Sequence, residues 1–185
     1  MEIEIIQSIE KEQDWVIVDG EFEQFHISGD NVDYVEDTIN LMQKAAITCF
    51  KYPFYIHFEG YDDGITSVLA KRDKLEIYYQ NTGRKVHTMS NGKSYHAEIP
   101  AYSVTIPNYE ALQTAFSEWF QLAQDNNMWM ITQGSCVHYE SKFASTNISQ
   151  EPIILIPGHD AQELIFITNQ PSYQKEDSLR VIFEE

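Results

Sequence analysis

Over most of the chain, apolar and polar residues alternate in short runs; in two stretches they recur at helical spacing. Residues 2–6 alternate acid with Ile, and residues 15–18 and 22–27 are rich in β-formers. Between those two runs stands Asp19-Gly20, which predicts a hairpin turn. From Asp33 to about Tyr52 the period changes: Val35, Ile39, Met42, Ala46, Cys49 and Phe50 recur at steps of three and four and share one helix face. Asp33, Glu36 and Asp37 occupy the early turns, Lys44 and Lys51 the later ones, and Pro53 stops the helix.

A meander is expected next. Strands are predicted at 54–59, 65–70, 75–79 and 85–89, separated by the turns Asp62-Asp63-Gly64, 71–74, Asn81-Thr82-Gly83 and Ser90-Asn91-Gly92. After a strand at 102–106, Asn108 caps a second helix running to about Asp125, with Leu112, Ala115, Phe116, Trp119, Leu122 and Ala123 on its core face. Further strands are predicted at 128–132, 136–143, 153–156, 164–168 and 179–183, with the polar stretch 144–150 read as a loop.

Two amphipathic helices among about a dozen strands predict an α+β fold with mostly antiparallel pairing. Each helix lies between strands, an order that two similar halves would produce. The length fits one acidic domain over residues 1–185, with any subdivision near 95–105.

Charge changes the picture most. There are 29 acidic and 12 basic residues, a formal net of −17. Residues 1–40 hold twelve of the acids against Lys11 alone. Such a field repels nucleic acid and anionic lipid and attracts cationic surfaces. Lys71, Arg72, Lys74, Arg84, Lys85 and Lys93 cluster near Tyr78, Tyr79 and Tyr95, a mixture that suits single-stranded nucleic acid. The overall field opposes that use, and the expectation is that these cations pair internally or coat a sheet face. No apolar run reaches membrane-spanning length and the N-terminus shows no signal-peptide pattern, so the expected location is cytoplasmic. Cys49 and Cys136 lie in apolar segments without a C-x-x-C pair, and two buried free thiols are expected.

Candidate chemistry is sparse. His57-Phe58-Glu59 and His138-Tyr139-Glu140 repeat a His-aromatic-Glu pattern that would offer four ligands to a divalent metal if the two strands were neighbours. The simpler expectation puts these polar residues on a solvent face, with Phe58 and Tyr139 turned to the core. Gly134-Ser135-Cys136 lacks the glycine pattern of a nucleophile elbow, and Asp62-Asp63-Gly64 lacks calcium-loop spacing. No cofactor is expected.

The leading expectation is therefore an acidic interaction module that binds and blocks a basic partner. Immunity or antitoxin proteins and inhibitors that imitate nucleic acid share this size and charge, and the partner would be a nuclease or nucleic-acid-binding protein. The predicted docking face comprises Glu10, Glu12, Asp14, Glu21, Glu23, Asp30, Asp33, Glu36 and Asp37, with Trp15, Phe22 or Phe25 as aromatic anchor. The alternative is a small-molecule binder or enzyme with an aromatic-lined pocket, using His57, His138 and Glu140. A third is a subunit that self-associates through a sheet edge.

Overall fold

The computed structural model describes residues 2–8, 15–61, 75–140 and 142–184. The predicted strand at 65–70 and the turns at 62–64 and 71–74 lie outside the described residues. Among those described, eleven strands form two sheets. They are β1 (Ile3–Gln7), β2 (Val16–Asp19), β3 (Glu23–Gly29), β4 (Phe54–Glu59), β5 (Ile77–Ser90), β6 (Lys93–Ile106), β7 (Trp129–Thr132), β8 (His138–Glu140), β9 (Phe143–Asn147), β10 (Ile153–Pro157) and β11 (Leu164–Thr168). Eight of them pair antiparallel in the order β1-β3-β11-β10-β7-β4-β6-β5, and β2, β9 and β8 make a smaller sheet in which β2 and β9 run parallel.

The helices are α1 (Tyr34–Cys49), α2 (Tyr109–Trp119), a short continuation α3 (Gln121–Gln124) and α4 (Glu176–Glu184). Asn108 caps α2 as expected, accepting a hydrogen bond from the backbone amide of Ala111, whereas Asp33, read from sequence as a residue of the early turns, is itself the cap of α1 and accepts from the amide of Glu36. The buried face of α1 centres on Thr38, Leu41, Met42, Ala45 and Ala46. The connection β3-α1-β4 passes three strands and β6-α2-β7 passes one. The two travel in opposite directions from strands of opposite direction, so a common hand places both helices on one face of the sheet. That face, with Phe25, Ile56, Phe58, Trp129 and Phe166, packs against Leu41, Phe116, Trp119 and Leu179 in one core.

The opposite face carries a second core. Met130, Ile154, Ile156, Ile165 and Ile167 of the large sheet meet Val16, Val137, Ala144 and Ile148. The middle strands β7, β10 and β11 are buried on both faces and read as unbroken apolar runs rather than alternation.

Three expectations are corrected. Asp19-Gly20 does not close a hairpin, because β2 and β3 belong to different sheets. Gly20 instead holds a φ of 105° where a Cβ would stand 2.8 Å from Ile148 Cγ2, a close approach open only to glycine. The stretch read as a loop contains β9, whose Ala144, Ser145 and Thr146 are buried. Residues 179–183 form α4, not a strand. The two strand-helix-strand units share one sheet and one core, and β6 runs unbroken through the boundary considered near 95–105.

Candidate functional site

The predicted docking residues divide into groups. Glu10, Glu12 and Asp14 lie outside the described residues. Glu21 and Glu23 stand at the start of β3, while Asp30, Asp33 and Glu36 follow its other end. Seven strand residues separate the groups by about 20 Å. Glu23 accepts a hydrogen bond from Gln7 Nε2 at 2.7 Å. Asp37 leaves the exposed set: it is buried and takes hydrogen bonds from the Asn31 amide at 3.0 Å and from the Asn31 side chain, closing the turn before α1. Phe22 and Phe25 are buried in the two cores and cannot anchor a partner.

The corner at the end of β3 gains residues that the sequence did not single out. Glu2 and Glu4 of the neighbouring chain segment are exposed there, and the Glu2 amide donates to Asp30 Oδ1 at 2.8 Å. Val32 is fully exposed and Tyr34 half-exposed between Asp30 and Glu36. Among the described residues no ion pair involves Glu2, Glu4, Asp30, Asp33 or Glu36. One cation, Arg180 of α4, lines a shallow groove with Glu2, Glu4 and Asp30, but it is also bound to Glu176 at 2.7 Å and to the Ile3 carbonyl.

The metal candidates do not converge. His57 and Glu59 are on β4 in the large sheet, and His138 and Glu140 are exposed on β8 in the small one. No group of three His, Cys, Asp or Glu side chains among the described residues could hold an ion. Phe58 does enter the helix-side core, but His57 and Glu59, on the other face of β4, are buried rather than solvated. Thr132 Oγ1 donates to the Gly134 carbonyl at 2.7 Å and therefore accepts from His57 Nε2 at 2.9 Å. That leaves His57 Nδ1 to accept from the Ser103 hydroxyl at 2.7 Å. Burial lowers the imidazole pKa to about 3, with the Gly134 carbonyl pulling weakly the other way. This is a sealed neutral ring with both nitrogens satisfied, not a base awaiting substrate.

Glu59 pairs with Arg84, a buried ion pair between the sheets. Burial holds the Glu59 carboxyl above the usual range, opposed by Arg84. Arg84 reaches there because β5 bulges: Asn81 pairs with Pro100 and Lys85 with Glu98, so Thr82, Gly83 and Arg84 stand opposite Ile99 alone. The Thr82 hydroxyl donates to the Ile99 carbonyl at 2.9 Å and accepts from the Arg84 amide at 3.0 Å. The guanidinium then stacks 4.1 Å from the centre of the Trp15 ring. Trp15, proposed from sequence as a docking anchor, is thus an internal partner whose indole N–H donates to the Asn126 carbonyl at 2.9 Å.

Two cavities meet at Trp15. One, of about 210 Å³, lies among His26, Asn126, Met128, Pro157, His159 and Glu163. There His26 Nδ1 is 2.6 Å from Glu163 Oε1, and that carboxylate raises the imidazole pKa against the effect of burial. A Cβ on Gly158 would come 2.6 Å from Glu163 Cγ, so glycine makes room for the carboxylate. The other cavity, of about 540 Å³, is lined by Trp15, Gly83, Arg84, Lys85, Lys142 and Phe143. Both cysteines are free; Cys49 is partly buried, its thiol pKa pushed up to about 12 by burial, whereas Cys136 is exposed, contrary to expectation. No helix among the described residues is long and apolar enough to cross a membrane.

Comparison with protein-family models, curated proteins and solved structures finds no match to this chain.

Proposed function

We propose that the protein is an acidic interaction module that binds and blocks a basic partner, as an immunity-type or nucleic-acid-mimicking inhibitor would. The docking surface is the corner formed by Glu2, Glu4, Asp30, Asp33 and Glu36. The observation that carries this reading is the exposure of Val32 and Tyr34 among carboxylates that lack an ion-pair partner among the described residues. An apolar and aromatic centre with a charged rim is the composition of a docking patch: the centre supplies affinity on desolvation, and the rim steers a cationic surface. Glu21 and Glu23 form a separate group at the other end of β3, with a secondary part in steering. The partner is a basic protein that holds phosphate groups, such as a nuclease or nucleic-acid-binding protein.

Purified nucleases and nucleic-acid-binding proteins, screened by biolayer interferometry and by inhibition of their activity, provide the test. Asp30→Lys with Asp33→Lys is expected to weaken binding at least about tenfold, roughly 1.4 kcal/mol. Tyr34→Ala should raise the off-rate by a similar factor. Glu21→Lys with Glu23→Lys should chiefly slow association. Binding that survives reversal at Asp30 and Asp33 unchanged rules out this corner.

A further inference from the structure

We infer that the cavity between Trp15 and the β5 bulge is a binding site for a small organic phosphate. Its phosphoryl oxygens would meet Arg84, Lys85 and Lys142, and its organic part would rest on Trp15 and Phe143. This inference is independent of the docking surface, since none of these residues belongs to the acidic corner.

Charge sets this cavity apart. The chain has only 12 basic residues against 29 acidic ones, yet three of the twelve line one cavity and no carboxylate among the described residues lines it. Glu59 already matches the charge of Arg84 from beneath. Lys85 and Lys142 are exposed and form no ion pair among the described residues. Glu98, across the ladder from Lys85, points its Oε1 at the Gly83 amide, 3.1 Å away. Two unmatched lysines suit a dianion, which a phosphate monoester is near neutral pH, and ammonium groups bind phosphate as point charges.

Hydrogen-bonding groups beside it are unmet. Arg84 Nε is buried with no acceptor among the described residues, although the same guanidinium is held by Glu59, Trp15 and Asn127. The hydroxyl of Tyr139, which lies in the field of both Glu59 and Arg84, is likewise buried without a partner. A buried donor left open keeps the penalty of its desolvation without recovering a hydrogen bond. Arg84 lines the cavity, and a small shift of its guanidinium would bring that buried Nε to an acceptor-rich ligand.

The backbone around the cavity is specially built. The bulge turns Arg84 inward, with Gly83 at φ 73° making the turn. Lys142 adopts φ 79°, a conformation that glycine or asparagine takes more readily. Bulges of this kind re-aim side chains beside functional sites. The cavity wall is completed by Phe143, whose ring centre is 6.5 Å from that of Trp15.

Trp15 also supplies the readout. Trp119 and Trp129 are 0% and 1% exposed, so a ligand in this cavity perturbs chiefly the fluorescence of Trp15. The full chain would be titrated with adenosine monophosphate, inorganic phosphate and adenosine, with calorimetry as a second measure. Saturable binding of the monophosphate is expected, with inorganic phosphate and adenosine each at least about tenfold weaker. Because Arg84→Ala would strand Glu59 and endanger folding, the informative variants are Lys85→Ala and Lys142→Asn, the latter tolerant of the left-handed backbone. Each should weaken monophosphate binding about tenfold while leaving Tm unchanged. The inference is overturned by an absence of saturable change up to about 10 mM monophosphate, by unchanged affinity in both lysine variants, or by either inorganic phosphate or adenosine binding as tightly as the monophosphate.

Discussion

His57 shows what a single residue contributes here. Its ring accepts from Ser103, donates to Thr132 and is wholly buried, which holds its folded pKa at about 3 against an ordinary 6.5. Below pH 6.5 the unfolded chain takes up a proton that the folded protein refuses, so the unfolded state gains. The contribution is complete above pH 6.5 and is lost as pH falls toward 3, at up to about 1.4 kcal/mol per pH unit. His57→Gln should lose about 1–3 kcal/mol at neutral pH through its disturbed hydroxyl partners. It should also show a shallower fall in urea midpoint between about pH 6.5 and 4.5; equal slopes in the two proteins would contradict the assignment. This role was hidden in the sequence. Alternation correctly set Phe58 in the core, but the opposite face of β4 is buried too, with His57 held by Ser103 and Thr132 and Glu59 by Arg84, partners that local spacing does not reveal. His57 and Glu59 therefore read as solvent-facing, while burial and partners make them a polar seam.

At the scale of elements, strong local signals survived and tertiary ones did not. The cap at Asn108 was legible because capping is chemistry among near neighbours. The hairpin turn Asn91-Gly92, with φ of 51° and 71°, was equally visible. By contrast, α4 was read as a strand because Leu179-Arg180-Val181-Ile182-Phe183 is short and β-branched. Its acidic first turn at Glu176 and Asp177 and the spacing of Leu179, Ile182 and Phe183 fit a helix as well. Packing decides the matter: those three side chains are 0%, 5% and 5% exposed in the helix-side core, while Val181 remains outside. Leu179→Ala should accordingly cost about 2–4 kcal/mol, seen as a lowered urea midpoint. Val181→Ala should change it by less than about 0.5 kcal/mol. Similar costs at both positions would mean that residues 179–183 do not present a single buried face. β9 had no local signal of comparable strength, since its parallel partner β2 is distant in sequence, and Asn81-Thr82-Gly83, read as a turn between two strands, is instead the bulge within β5 that brings in Arg84.

For the whole molecule, the acidic excess enters as a field whose sign was evident from composition and whose placement was not. Folding separates the carboxylates at the two ends of β3, buries Asp37, and gathers three cations around Trp15. The exposed acids should make two opposite contributions that salt can separate. Mutual repulsion at a net charge of −17 opposes the compact state, and added salt screens it over about 8 Å at physiological ionic strength. The buried Arg84–Glu59 pair is shielded from that screening by its position between the sheets. Raising sodium chloride from about 0.02 to 0.2 M should thus raise Tm by a few degrees while weakening association with a cationic partner. Differential scanning fluorimetry and binding kinetics over one salt series would measure both. If Tm instead falls with salt, attraction within the molecule outweighs repulsion, its exposed carboxylates are already compensated, and the acidic corner loses the charge on which docking depends.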